Sequence, residues 1–549
     1  MQESCGDPGA AAATSTQIDW DIYLGASMAD GTFPAKYNFD LPGETPTCAD
    51  FVVYGLNTPG VTNGQPNLVG LTNLYSGTAN GAGLCNNNTG VYRSTGGNQQ
   101  VYAATVKFAF NGSTLATAGS ITNSVVMSED GTKVAYVESN GTDSALHVVS
   151  TTPGTNGTGA IESFNQWGNW AANAAAAAPG SIKTIPGSGY WTAADSYSSV
   201  WVDYSDDLAY VGTDDGSVHK IQNIFCTTAS CIASPVDPSE ATTGGWPVTL
   251  SGAGKLTSPV EDANGVIYLA GANGYLYAIT SAGVVTPSKQ LFLTNSIVDG
   301  AMLDIDGNET TTLYWFSNSS LTEQQPQMVQ TDSAFTPAKI NYYPLLLNGT
   351  AAWGGTTTTV HMGTFDNAFY TNRIGNMWAC GWWQNGQYSG YYLGVVRFAV
   401  DGTKVTPDVS QTYAEMSTTW ASPANLNTCA PLTEVLDSAG ADHIFASSYI
   451  GYNCASNASC IYGFTIDSTG TPPAYSLPLT GSYNLASTAN TSAPAHPTND
   501  YTSGIIVDNM VNPASSTCGP NADQTCAQAA SIYFTYGTDA IKLTQAQLQ

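Results

Sequence analysis

The chain has 549 residues, of which only 10% are charged, and its 13 basic against 41 acidic side chains leave a formal charge of −28. An ordinary soluble protein is about 25% charged, so Ser, Thr, Asn, Gln and Gly must cover this surface. No basic stripe is present for phosphate, which argues against nucleic acid and an anionic membrane surface as partners, and no apolar run approaches the roughly 18 residues of a transmembrane segment.

Residues 1–17 read as a flexible tail or tether. Cys5 stands in it, followed by the small-residue stretch GDPGAAAATSTQ. A lipid-anchored cysteine whose leader has been replaced by a start Met would look like this, and a free thiol in a tail is the alternative. From Ile18 to about Tyr75 the pattern is irregular, with one strand-like run, FVVYGL, from Phe51. From Val101 two hairpins follow in succession, VYAATVKFAF with its return, then KVAYVES and ALHVVS, and read as one four-stranded sheet.

Residues 151–195 interrupt this rhythm. NQWGNWAANAAAAAPG is the only plausible helix in the chain, ended by Pro179-Gly180, and the stretch reads as an inserted loop and helix too short to carry a core.

The rhythm resumes at Ser198. LAYVGTDDGSVHKI around Leu208 and VIYLAGANGYLYAI around Val266 each give an alternating strand, a turn on Asp-Gly or Asn-Gly, and a second alternating strand. Such turns take positive φ, matching the twist of the flanking strands, and are a strong hairpin signal. The second of these opens near Thr257, and further units open near Ser296, Thr358, Thr433 and Thr502. A sheet of this kind cannot bury both faces alone, so copies must stack, and radial stacking leaves only short, protected edges. The expected fold is all-β: a single β-propeller over residues 18–549, with seven four-stranded blades (six or eight being the alternatives) and long loops stapled by disulfides.

The two clear repeats resemble the blade motif of the pyrroloquinoline-quinone-type propellers. Tyr210-Val211-Gly212-Thr213, Asp215-Gly216, Ile267-Tyr268 and Gly274-Tyr275-Leu276-Tyr277-Ala278 carry the likeness. That superfamily includes quinone-dependent dehydrogenases and also scaffold lipoproteins of outer-membrane assembly that bind no cofactor. The enzymes typically show adjacent cysteines and regularly spaced tryptophan docking motifs. This chain has no Cys-Cys pair and its Trp are irregularly placed, so a non-quinone member is expected and the dehydrogenase is a minor alternative.

Five cysteine couples are expected as disulfides: Cys226 with Cys231, Cys454 with Cys460, Cys518 with Cys526, Cys48 with Cys85, and Cys380 with Cys429. Their spacings do not make zinc knuckles, and stapled loops belong to oxidising compartments. Together with the composition they lead us to expect an exported protein, extracellular, periplasmic or on the cell surface.

Signatures of common chemistry are missing: no G-x-S-x-G, no H-E-x-x-H and no C-x-x-C-H. The five histidines are scattered and read as packed, hydrogen-bonded side chains. One calcium candidate exists, LDIDGNETT, which sets Asp304, Asp306 and Asn308 at alternate positions, with Glu309 in reserve because Thr312 replaces the usual acid. An ordinary Asx turn reads the same way. Asp203, Asp206, Asp207, Asp214, Asp215 and Asp299 are carboxylates available for acid–base work, most of them at turn positions.

The densest ligand signal is WACGWWQNGQYSGYY. Trp378, Trp382, Trp383, Tyr388, Tyr391 and Tyr392 interleave with amides and hydroxyls, a pattern suited to sugar rings. Propeller strands also need aromatics between blades. We therefore expect a binding or scaffold protein for polysaccharide or a surface protein partner, with no catalytic residue assigned. A hydrolase or lyase acting through Asp residues on one propeller face is the alternative.

Overall fold

The computed structural model describes residues 16–38, 47–61, 65–75, 104–111, 115–154, 160–161, 170–171, 178–179, 182–186, 189–306, 310–319, 321, 325–347, 359–384, 391–407, 414–416, 429–436, 440–448, 460–466, 479–484, 502–509 and 530–545. Its architecture follows from period-two alternation. In the strand Phe51–Gly55, Phe51 and Val53 enter one buried cluster while Val52 and Tyr54 enter another. In Leu208–Gly212, Ala209 and Val211 face one way and Tyr210 the other. In Ile267–Ala270, Tyr268 and Ala270 part from Ile267 and Leu269 in the same manner. A strand apolar on both faces can be buried only between two other sheets, so each sheet is sandwiched between neighbours.

Among the described residues eight sheets have four or more strands, all with antiparallel neighbours in the meander. Their inner strands are Ala35–Tyr37, Val126–Met127, Trp201–Asp203, Val260–Glu261, Met302–Ile305, Thr364–Phe365, Thr433–Leu436 and Ile506–Asn509. The buried clusters link each sheet to the next and the last to the first: Trp20 and Tyr533 pack with Val52 and Tyr54. The fold is a closed eight-bladed propeller.

The count of seven is therefore corrected to eight. Strand-forming segments between 35 and 110 make blade one, whose four strands are Ala35–Tyr37, Phe51–Gly55, Leu68–Thr72 and Thr105–Phe110. The segment near Val101 supplies the outer strand of that blade, and the hairpin Lys133–Ser139 with Ser144–Ser150 belongs to blade two. Long intervening stretches (38–50, 56–67 and 73–104) separate the four strands, so no short-range hairpin pattern announces them.

Ring closure is made by the chain start. Thr16–Tyr23, which takes in two residues read as tail, pairs antiparallel with Asp539–Gln545 as the outer strand of blade eight. Trp20 is fully buried there and its Nε1 donates to Leu74 O at 3.0 Å. Beside it, Lys36 of blade one meets Asp508 of blade eight at 2.9 Å, both side chains buried. Tyr75 donates to Asp508 at 2.9 Å and lies equally close to Asp50.

Most of the stretch read as a helix lies outside the described residues. The described parts of that stretch, Trp170–Ala171 and Ala178–Pro179, are strands. Short helices form at Ala229–Ala233 and Asn367–Asn372. Asp366 starts the latter, accepting from Phe369 N at 3.0 Å. Among the described residues no helix is long and apolar enough to cross a membrane.

Candidate ligand-binding face

Each blade is entered from one end of the ring, and the turns between second and third strands return to that same end, here called the upper face. The residues three and two positions before each inner strand recur there as a pair: Thr32-Phe33, Asn123-Ser124, Ser198-Ser199, Thr257-Ser258, Asp299-Gly300, His361-Met362, Ala430-Pro431 and Ser503-Gly504. In the common form the first residue is a hydroxyl that holds its own blade. Ser198 Oγ accepts from Gly212 N at 2.6 Å, Thr257 Oγ1 from Ala270 N at 3.0 Å, and Ser503 Oγ from Thr535 N at 2.8 Å. The second residue links blades. Phe33 N donates to Ser124 Oγ at 2.9 Å, Ser124 N to Ser199 Oγ at 3.0 Å, and Ser199 N to Ser258 Oγ at 2.9 Å.

This ladder of hydroxyls ends at blade five, where charged groups take the same positions. A Cβ on Gly300 would lie 2.6 Å from Ser258 O, so the blades approach too closely for any other residue. Asp299 Oδ2 accepts from Met362 N at 2.8 Å, and both its oxygens lie 3.1–3.2 Å from His361 Nδ1. Asp30, in the segment leading into blade one, stands 3.6 Å from His361 Nε2. Blades one and six are not neighbours in the ring, so this contact spans the mouth of the central channel. Gly31, at φ +74°, lies directly on the imidazole, and a Cβ there would run into the ring. Burial pulls the His361 pKa down, but the charges and hydrogen bonds of Asp299 and Asp30 outweigh it and raise the pKa to about 10.

Over blades two to four the upper face opens into a cleft of about 400 Å³. Ser120, Ser139, Asn140, Asp195, Tyr197 and Lys255 are among its walls. Tyr197 is 38% exposed, with the Lys255 ammonium 5.0 Å from its ring centre. Asp195 is 2% exposed. Its Oδ1 accepts from Ser198 N at 2.9 Å and its backbone N–H donates to Ser139 Oγ at 3.0 Å, with Asn123 also beside its carboxylate. Burial, reinforced by the Asp214 charge, raises the Asp195 pKa well above the usual carboxylate range against the opposing Ser198 N–H.

The residues singled out in the sequence fall differently. Trp378 and Trp382 share one face of the strand Ile374–Gln384 and are 0% and 1% exposed, in the core that joins blades five, six and seven. That position is explained by inter-blade packing and presents neither ring to a ligand. Trp383, Tyr391 and Tyr392 lie on paired strands with side chains outside the described residues, as is the whole of Tyr388.

In the calcium candidate, Asp304 gives both carboxylate oxygens to Arg373, each at 2.5 Å, and Asp306 Oδ1 accepts from Thr310 N at 2.8 Å. The guanidinium supplies the positive charge that a cation would have brought. Asn308 and Glu309 lie outside the described residues, among which no metal-holding group of His, Cys, Asp or Glu occurs.

Two of the expected disulfides are present, Cys226–Cys231 and Cys380–Cys429, with Cα separations of 5.2 and 6.5 Å. The other pairings each involve a residue outside the described set: Cys85, Cys454, and both Cys518 and Cys526, as is Cys5.

Five of the six aspartates have carboxylates committed to local contacts, and the sixth, Asp206, is exposed. Asp203 Oδ1 accepts from Ser205 N at 2.9 Å and from Asp206 N at 3.3 Å, which places Asp206 inside that turn. Asp207 takes Phe225 N and Thr227 N, Asp214 takes Ser196 N and Oγ, and Asp215 takes Thr213 Oγ1 and Ser217 N. Asp299 holds His361. Asp195, Tyr197 and Lys255 went unnoticed in the sequence because the first two stand in one inter-blade connection and the third in the next, with no motif joining them. The Ser-Ser and Thr-Ser openings of blades three and four were the available signal for the face they share.

No protein family matches the chain, and no curated protein resembles it closely enough to count as a relative. Among solved structures it is similar to Sqt1 of Saccharomyces cerevisiae (10% identity, 97% of this chain and 99% of that one, TM-score 0.45). It is also similar to the computationally designed Ika8 protein (8%, 96% and 100%, 0.41) and to BamB of Moraxella catarrhalis (11%, 79% and 96%, 0.32). The propeller assignment rests on the strand pairing itself.

Proposed function

We propose that this protein is an exported propeller that binds a polysaccharide or a surface protein partner on its upper face. The observation that carries the reading is the disposition of its carboxylates. A hydrolase or lyase needs two acids free of structural duty and facing one substrate. Of the aspartates that the sequence offered for that work, all but the exposed Asp206 are held by turn N–H groups, hydroxyls or His361. What the upper face offers is a ready cleft walled by hydroxyls, an amide and an exposed aromatic ring, the furniture of a binding site. Two disulfides support the exported location. The tandem hairpins on Leu208–Gly212 and Ile267–Ala270, which are the second strands of blades three and four, support membership of the quinone-type repeat superfamily as a member that binds no quinone.

Size-exclusion chromatography with a panel of soluble polysaccharides and biotinylated cell-surface proteins tests this reading. Co-elution of the protein with an intact polymer or protein is expected. Elution of a polymer at smaller size would mean chain cleavage and would promote the hydrolase alternative.

A further inference from the structure

The cleft over blades two to four has a chemistry more specific than its shape, and the inference here rests on the binding role just proposed. At about 400 Å³ it lies at the small end of ligand pockets, which run about 300–1,000 Å³. That is room for a sugar unit or two and too little for a folded partner's anchor loop.

Its walls disfavour charge of either sign. An anionic ligand would enter the field of a chain carrying −28, with Asp214 behind the wall, bonded to Ser196, and Lys255 alone to offset it. A cationic ligand would meet the Lys255 ammonium, which forms no ion pair among the described residues and lies over Tyr197. An apolar side chain would find little to pack on, because Pro59 and Ala118 are the apolar members of the lining besides Tyr197.

What remains is a neutral, hydroxyl-rich ligand with one apolar face. Tyr197 supplies an exposed ring edge and face, and Ser120, Ser139 and Asn140 supply donors and acceptors. Asp195, buried behind them, holds the wall in place through its bonds to Ser198 N and Ser139 Oγ.

We propose that this cleft is a subsite for an uncharged pyranose unit of a polysaccharide, with Tyr197 as its stacking platform and Ser120, Ser139 and Asn140 as its hydrogen-bonding wall.

The test is calorimetric titration of the full chain with neutral hexasaccharides (maltohexaose, cellohexaose, mannohexaose, xylohexaose) and with hexagalacturonate as the anionic probe. Binding of at least one neutral hexasaccharide is expected. Tyr197→Ala should weaken it tenfold or more, while Tyr342→Ala, an exposed ring on the outer strand of blade five, leaves it unchanged. Thermal melts check that each variant is folded. Ser120→Val, in the same wall, serves in its place should Tyr197→Ala fail to fold. Unchanged neutral binding in both cleft variants would overturn this subsite and leave the polysaccharide role standing elsewhere on the ring. Binding of hexagalacturonate alone would overturn the neutral assignment. Binding of no saccharide would overturn the subsite, and protein capture in the co-elution experiment would then carry the broader reading.

Discussion

His361 and Asp299 occupy the same structural position in consecutive blades, three residues before the inner strand, and there they form an ion pair at 3.1 Å. In blades three, four and eight that position is a serine or threonine hydroxyl tied to its own second strand. The ring thus changes its fastening at blades five and six, from neutral hydroxyls to buried charge.

The charge makes the fastening pH-dependent. The His361 pKa is raised above its ordinary 6.5 to about 10, so its stabilisation is fully present below about pH 6.5 and is lost as pH rises toward 10. The groups facing the imidazole are Asp299 and Asp30. His361→Gln should cost about 3–5 kcal/mol at pH 6, as breaking a buried pair does. Its melting temperature should also vary less than the wild type's between pH 6.5 and 10. Parallel pH–melting curves for the two proteins would refute the assignment.

The hydroxyl half of the ring is expected to be more forgiving. Ser199→Ala removes the acceptor for Ser124 N and should cost about 1 kcal/mol. Gly300→Ala should cost more, because its Cβ would press on Ser258 O. Denaturant unfolding of the two variants gives the order directly.

Ring closure through Thr16–Tyr23 should dominate overall stability. Trp20→Ala removes a fully buried indole packed beside Tyr533, with ring centres 5.9 Å apart. It should cost about 3–5 kcal/mol. Val284→Ala, at 59% exposure, should stay within about 0.5 kcal/mol. Equal effects in a denaturant titration would mean that the first strand is not part of the core.

The two disulfides should differ in worth. Cys380–Cys429 closes a separation of 49 residues and Cys226–Cys231 one of 5. Chain-entropy reasoning gives about 4 and about 2 kcal/mol. Replacing each pair by alanine and comparing unfolding midpoints should reproduce that order.

The propeller was legible in the sequence wherever a blade's second and third strands are joined by a short Gly turn. Gly216 and Gly274, at φ +87° and +81°, sit in the turns that gave blades three and four away. Blade one was not legible, because turn chemistry is a local signal and its strands are held together by loops too long to carry one. Closure by Trp20 was equally hidden, since pairing between residues 16 and 545 leaves no local trace. The aromatic run at Trp378 was read for its composition. Alternation places Trp378 and Trp382 on the same side of their strand, and that side is the core. The upper face emerges only once eight separate connections are brought to one end of a ring, which is why Tyr197 and Lys255 had no signature of their own.

The central claim, that ligand is held on the upper face over blades two to four, is tested most directly by hydrogen exchange of backbone amides with and without the polymer that co-elutes. Slowed exchange confined to segments 118–122, 139–143 and 195–198, with the lower-face helix Asn367–Asn372 unchanged, is the expected result. Protection at that helix, with none in the three upper-face segments, would contradict the account.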